Sequence, residues 1–523
     1  MKAKVLVRVT LLAALMSVSV SGCGGKKLQI VVDDPYTFVS NHRNLRINNG
    51  YSCEAYTDHD KFTDDGKLVH NYVIENVKAL VVPVDFTDYP SSVYGSEENS
   101  RAILQKAIFS EEKTDGWYSL SSYYASSSFG QCKITGTVAP WWHTGKAVSQ
   151  IDSSDSGFAT DTAVKIQDYY QQHPEEINLA DYDANKDGYV DSLIMIYSAP
   201  INPSGTGSGL WWAFCWSVYD AFGKYTPDGS MMGVHRYFWA SMRFLFEYQA
   251  NKYRTEAEIA TGEYEPNSHT LVHEFGHVLS LPDYYITDYD SNDYDGLGYL
   301  DMMDYNIGDH NIYSKMMYGW VTPKRVTGTS GSVTVTIRST TDTGDAIIIP
   351  APGEWHDTYL DQYLTIEFLT PTGVAEKDSK DRYVGSMPLY FSKPGIRICQ
   401  VDSRLGQFSR TNGDFLGYTE ATKPSENTYS ISIAADNTAS RSCYKDYKLI
   451  EILPATGTSQ RKRQRAADNS CLYQEGDVFG KGDVFKDFKL NGSKGEKDKK
   501  FGFKIKIDKI DTVNGTATIT ISR

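Results

Sequence analysis

The residues of this 523-residue chain best suited to chemistry are His273-Glu274-Phe275-Gly276-His277, two histidines four apart with a glutamate after the first. On a helix, positions i and i+4 share one face, so both imidazoles can reach a single cation. Glu274 then stands on the cation's open side, where an attacking water needs a proton acceptor. Zinc requires a third protein ligand. No Glu occurs between Phe275 and Gly353, which disfavours a glutamate delivered by a second helix. Asp283 lies six residues after His277, just past Pro282, which stops a helix and helps turn the chain back. Asp283 is therefore the expected third ligand. Two unrelated histidines on a surface helix are the bland alternative. They do not account for Leu271, Val272, Phe275, Val278, Leu279 and Leu281, which make the segment apolar on most sides. Two imidazoles and a carboxylate on a buried helix need partners, and a metal supplies them.

A second oxygen-rich stretch is Asp181-Tyr182-Asp183-Ala184-Asn185-Lys186-Asp187-Gly188-Tyr189-Val190-Asp191. Asp181, Asp183, Asn185 and Asp187 alternate their side-chain oxygens, Gly188 permits a sharp turn, and Asp191 closes the set, as calcium requires. Ile194 stands where an EF-hand places its closing glutamate, so this would be a calcium loop of another kind. An Asx-rich turn without an ion is the alternative. Asp288, Asp290, Asp293 and Asp295 form a further acidic stretch, either an ion site or a solvated loop.

The elements that must position these groups are legible as periodicities. Residues 77–86 and 191–198 read as buried strands, and 210–218 as a third, rich in Trp. Residues 131–138 alternate as a strand, while 99–110, 161–173 and 268–281 read as helices. Trp211, Trp212 and Trp216 either line a cleft or pack in the core. From about Pro323 short alternating stretches at 332–337, 363–368, 395–402 and 515–521 replace helical signals, which points to an all-β region of sandwich type. The length suits two to four domains. Hydrophobic residues at 40% allow a sizeable core, and 13% aromatics exclude a disordered chain. Lys+Arg 52 against Asp+Glu 66 gives a net charge of -14, which argues against nucleic acid as a partner. The basic run 461–465 reads as a solvated loop.

The N-terminus sets the compartment. Lys2, Lys4 and Arg8 precede an uncharged apolar stretch from Val9 to Val20, too short to span a bilayer. It ends at Val20-Ser21-Gly22-Cys23, which resembles a bacterial lipobox with Cys23 as the acylated first residue of the mature protein. A plain signal peptide cleaved near Ser21 is the alternative. Either way the body is expected outside the cytoplasm, and with acylation it is tethered to the bacterial cell envelope. Six further cysteines in an oxidising compartment permit disulfides, and Cys443 and Cys471, the nearest pair in sequence, are the expected bridge.

These segments together resemble a known family. His273 to Asp283, HEFGHVLSLPD, is similar to the signature of the immune inhibitor A-like (M6) metallopeptidases, a metzincin-related group. Ser280 replaces the family's usual Gly at the turn. Asp301-Met302-Met303 resembles the Met-turn, which assigns Met303 the place beneath the metal. Lys315 to Trp320 resembles the family's K-x-x-x-G-W helix end, and VKALVVPVDFTDYP its first strand. Tyr305, two residues after Met303, matches the spacing of astacins and serralysins, where a Tyr approaches metal and oxyanion. The alternative is a packing Tyr in a chain that holds 37.

The resemblance implies an α+β fold: a metzincin-like zinc peptidase domain over 76–322, then the β-rich region 323–523. A lipoprotein signal peptide (1–22) and a tether with an irregular N-terminal segment (23–75) precede them. It implies a zinc-dependent endopeptidase that also binds calcium and acts on proteins or peptides, and the lipobox at Cys23 adds a lipid anchor. His273, His277 and Asp283 would hold zinc, with Glu274 and Tyr305 catalytic. A non-catalytic surface lipoprotein that binds host protein or glycan is the rival. The intact HExxH and Asp283 argue against it.

Overall fold

The computed structural model describes residues 28–34 and 75–523, less 112, 114–115, 153–156, 185–188, 204–208, 219–232, 235, 288–293, 352–358, 420–427, 438–447, 481–484, 486–488 and 491–498. The signal segment, Cys23, Cys53, Asn185, Asp187, Asp288, Asp290, Asp293 and Cys443 lie outside the described residues. The first described strand, β1 (Val31–Asp33), lies within the tether and N-terminal segment and joins the edge of a sheet of the C-terminal half. The catalytic half begins with β2 (Asn76–Asp85), apolar at consecutive positions.

Both faces of β2 are covered, which is why its sequence does not alternate. Val77, Ala79 and Val81 join one core, while Leu80, Val82 and Val84 join another on the opposite face. Helices α1 (Glu97–Phe109) and α2 (Leu120–Ser127) contribute Leu104, Ile108 and Tyr124 to the first core. Strand β3 (Lys133–Val138) runs parallel to β2, Val77 opposite Ile134. Helix α3 (Gly157–Gln172) contributes Ala159, Ala163 and Ile166 to the second core. Strands β4 (Ser192–Tyr197), β5 (Phe214–Ser217) and β6 (Arg236–Ser241) complete the sheet in the order β3-β2-β4-β6-β5. All neighbours are parallel except β5, which runs antiparallel to β6 with Cys215 opposite Phe238. Each fully buried Val, Leu or Phe here stabilises by about 1.5–3 kcal/mol. Of the three tryptophans, Trp211 is core, Trp216 half-buried and Trp212 exposed.

Helices α4 (His269–Val278), α5 (Met302–Tyr305) and α6 (Ile312–Met317) lie against the first core. Strands then dominate. Strands β7 (Lys324–Thr327), β9 (Ala346–Pro350), β10 (Gln362–Leu369), β11 (Gly395–Asp402) and β12 (Ile450–Ile452) form a six-stranded sheet with β1 at its edge, and β8 (Ser332–Arg338) belongs to a second sheet. That second sheet has the order β8-β15-β14-β13, with β13 (Val478–Gly480), β14 (Lys504–Asp511) and β15 (Thr516–Ser522). Ile347, Ile349, Leu364 and Ile366 pack with Ile337, Ile505 and Ile519 of the second sheet, giving the expected sandwich. The opposite face of the six-stranded sheet does not meet solvent. Ile348, Tyr363, Cys399 and Val401 share a core with Leu271, Phe275 and Met303 of the catalytic half.

Two expectations are corrected. Cys471 is a buried free thiol, not half of a disulfide with Cys443. It accepts from the Asp468 backbone N–H at 3.5 Å and faces the Arg463 guanidinium. The basic run is solvated only in part, with Lys462, Gln464 and Arg465 exposed. Arg461 and Arg463 are largely covered and paired with Glu451 (3.9 Å) and Asp468 (3.3 Å).

Candidate metal centre

Helix α4 is apolar nearly all round because it lies between the sheet and the C-terminal half. Phe275 packs on Tyr124 at 5.4 Å between ring centres, and the Tyr124 hydroxyl donates to the Val272 carbonyl at 2.9 Å. The helix ends before Pro282. Leu281 N–H donates to the Gly276 carbonyl at 3.0 Å and Ser280 N–H to that of His277 at 3.0 Å, the paired bonds of a Schellman cap. This cap needs a left-handed residue, and Ser280 supplies it at φ 81°. The turn therefore forms without glycine, at a steric cost of roughly 1–2 kcal/mol. Its effect is to fold Asp283 back over the helix.

Asp283 Oδ1 then lies 3.1 Å from His273 Nε2 and 3.2 Å from His277 Nε2. The ligand atoms of the three side chains lie within 4.8 Å of one another. Each Nδ1–H is used elsewhere: His273 donates to the Met302 carbonyl at 2.8 Å and His277 to the Leu281 carbonyl at 2.8 Å. Carbonyls only accept, so both rings carry their proton on Nδ1 and turn Nε2 towards the shared point. Two imidazoles and one carboxylate are a donor set that zinc takes with an open fourth position. Burial disfavours charge on His277, but Asp283 outweighs it and raises the imidazole pKa to about 10. Burial likewise pushes Asp283 up, and the two imidazoles override it and hold the carboxyl below its usual range. Glu274 is buried, its Oε2 is unpartnered among the described residues, and burial raises its pKa.

The arrangement has relatives. Residues 67–308 match the model of the immune inhibitor A peptidase M6 catalytic domain. Those residues are similar to an M6-type catalytic domain. The chain is 26% identical over 245 residues to the pre-pro-metalloprotease PrtV of Vibrio cholerae serotype O1. That alignment covers 40% of this chain and 25% of that protein. Immune inhibitor A of Bacillus thuringiensis subsp. alesti is 24% identical over 254 residues, covering 42% of this chain and 35% of its own length. The chain thus aligns with about a quarter to a third of the length of these relatives.

Within the M6-like domain, Met303 is fully buried, and a Cβ on Gly276 would come within 2.3 Å of its sulfur. The Met-turn thus lies against the helix between the two histidines. Asp301 holds that turn by accepting from Met303 N–H at 3.0 Å and from Asn311 N–H and Nδ2–H at 2.9 Å. Tyr305 is not the ring against the ligands. Tyr285 is: it stacks on His273 at 6.2 Å, and Tyr305 sits behind it at 6.1 Å, its hydroxyl shared with Tyr299. In the second acidic stretch Asp181 is exposed and Asp183 half-buried. The Asp191 carboxylate is buried and accepts from Lys78 N–H at 2.7 Å and Ala184 N–H at 3.2 Å. Asp295, of the third stretch, accepts from Ile286 N–H at 2.5 Å. No residue type marks the Met302 and Leu281 carbonyls, since backbone acceptors carry no residue signature. Tyr285, two residues past Asp283, was visible only as one Tyr among many.

Proposed function

We propose that this protein is an exported, lipid-anchored, zinc-dependent endopeptidase that hydrolyses peptide bonds in proteins. The observation that carries the reading is the meeting of both Nε2 atoms on Asp283 beside the unpartnered Glu274 oxygen. His273, His277 and Asp283 would hold the zinc, with the carbonyls of Met302 and Leu281 fixing the rings. Bound zinc supplies Lewis acidity, which makes a water acidic near neutral pH. Glu274 takes the proton from the attacking water and returns it to the leaving amine nitrogen. Its buried, unpartnered oxygen is suited to that task because no competing donor must be displaced. Met303 supports the helix from below. Tyr305 donates a hydrogen bond to the developing oxyanion after releasing Tyr299. Asp181, Asp183, Asn185, Asp187 and Asp191 bind calcium as a brace remote from the chemistry. Cys23 carries the lipid anchor, which would keep the enzyme at the envelope, where it meets protein substrates.

The test is casein hydrolysis by the chain that begins after Cys23, beside Glu274→Gln, with zinc read by elemental analysis. Chelator-sensitive cleavage with about one zinc per chain, lost in the zinc-bound variant, supports the reading. Zinc-bound wild type without cleavage of any protein substrate refutes it. Cys23→Ser should release the protein from the membrane fraction.

A further inference from the structure

Arg236 opens β6 and is buried at 1% exposure, yet no carboxylate lies within ion-pair distance among the described residues. Burying an unpaired cation is unfavourable by several kcal/mol, so something else must compensate it. Its Nη1 donates to the backbone carbonyl of His277 at 2.6 Å and lies 3.6 Å from the Cys215 sulfur on β5. Nε has no partner. The His277 carbonyl belongs to the last turn of α4, the negative end of the helix dipole, where unsatisfied carbonyls collect. The guanidinium is thus neutralised by a helix end rather than by an acid. It grips the one carbonyl that the Ser280 N–H also uses.

That carbonyl sits at the root of the whole ligand turn. From His277 to Asp283 the chain is fixed by Ser280 N–H to His277, Leu281 N–H to Gly276, and the His277 Nδ1–H to Leu281. Ser280 holds a left-handed conformation costly for a side chain. A strained turn needs outside ties to stay in register: the Tyr318 hydroxyl donates to the Gly276 carbonyl at 3.2 Å, and Arg236 gives the charged tie at the His277 carbonyl. We infer that Arg236 is a positioning residue of the metal centre: it pins the C-terminal turn of α4 so that His277 and Asp283 keep their ligand geometry. The inference rests on the zinc reading of the site, but not on peptidase activity.

Coulomb repulsion alone would make Arg236 oppose a dication, so removing it would tighten zinc. The positioning role makes the opposite demand. Zinc affinity is measured by chelator competition on the full soluble chain, with melting of the metal-free form recorded alongside. Wild type, Arg236→Gln, Arg236→Lys and Cys215→Ala are compared. Arg236→Gln is expected to bind zinc 10–100-fold more weakly. Arg236→Lys, which keeps a charged donor, should recover most of that loss, and Cys215→Ala should bind as wild type. Should Arg236→Gln not fold, Arg236→Met keeps the apolar stem and carries the same test. Zinc affinity unchanged or higher in the uncharged variant, whatever its melting temperature, overturns the inference and leaves Arg236 a helix cap only. Absence of zinc binding in wild type would instead remove the metal reading itself.

Discussion

At the residue scale the site stores a proton where a metal would go. In the metal-free pair, His277 is raised to about 10 against an ordinary 6.5, and Asp283 is held below its ordinary 3.8. The raised histidine contributes stability that is fully present below 6.5 and lost as pH rises through about 10. The depressed aspartate contributes above 3.8 and loses that contribution as pH falls further. Metal must displace the His277 proton, so uptake at pH 8 should release about one proton per zinc, and apparent affinity should rise about tenfold per pH unit up to pH ~10. Calorimetric titration in buffers of different ionisation enthalpy measures this; uptake without proton release would contradict the charged pair. Ser280 offers a second check. Its φ of 81° suits glycine, so Ser280→Gly should stabilise the metal-free chain by about 0.5–1 kcal/mol in urea unfolding. The ligand triad was legible because metal chemistry fixes residue type and spacing. The Ser280 conformation was not, because the pattern only says that glycine is easier there, not that serine fails.

At the element scale, the contact that matters is between α4 and the Met-turn. Gly276 leaves room for the Met303 sulfur, and the neighbouring Met302 carbonyl holds His273. Gly276→Ala would press a methyl into buried Met303, at a cost of about 1–3 kcal/mol. It should also weaken zinc by about tenfold, because the carbonyl that orients His273 moves with the turn. Combining it with Met303→Ala should restore part of the zinc affinity; no recovery would place the effect elsewhere. Elements covered on both faces are readable: 77–86 is β2 and 191–198 is β4 within a residue or two, since short continuous apolar runs with β-branched residues favour buried strands over helices. The apolar pattern carries helix α4 three residues past its observed end, because Pro282 is a stop that residue type reveals, whereas the Schellman cap at Ser280 acts first. Strand β6 went unread, although Arg236 heads an aromatic run, since a charge before apolar residues marks no period by itself.

At the scale of the whole molecule, the β-rich half is not an appendage. Its six-stranded sheet gives one face to the sandwich and the other to the core that holds α4. Polar ties cross the same boundary. Glu367 accepts from Ile312 N–H at 2.6 Å while pairing with buried Arg397. Asp378 accepts from Gly308 N–H at 2.7 Å and lies 3.2 Å from His269, the first residue of α4. The Tyr383 hydroxyl donates to the Tyr305 carbonyl at 3.2 Å. A sequence reading could not place these contacts, because alternation along a strand reports one buried face but not which element covers the other. The joint core makes a thermodynamic demand: the two halves should melt together. Scanning calorimetry should give one transition, and zinc should raise the melting temperature of all of it. Glu367→Ala should lower that same transition by the equivalent of about 3–5 kcal/mol, because Arg397 is left charged and unpaired inside the shared structure. It should also diminish zinc-dependent stabilisation, since α6 loses its tie to the sheet. Two separate transitions, with only the first responding to zinc and only the second to Glu367→Ala, would mean that the halves fold independently and that the sheet merely rests against the helix that carries the metal ligands.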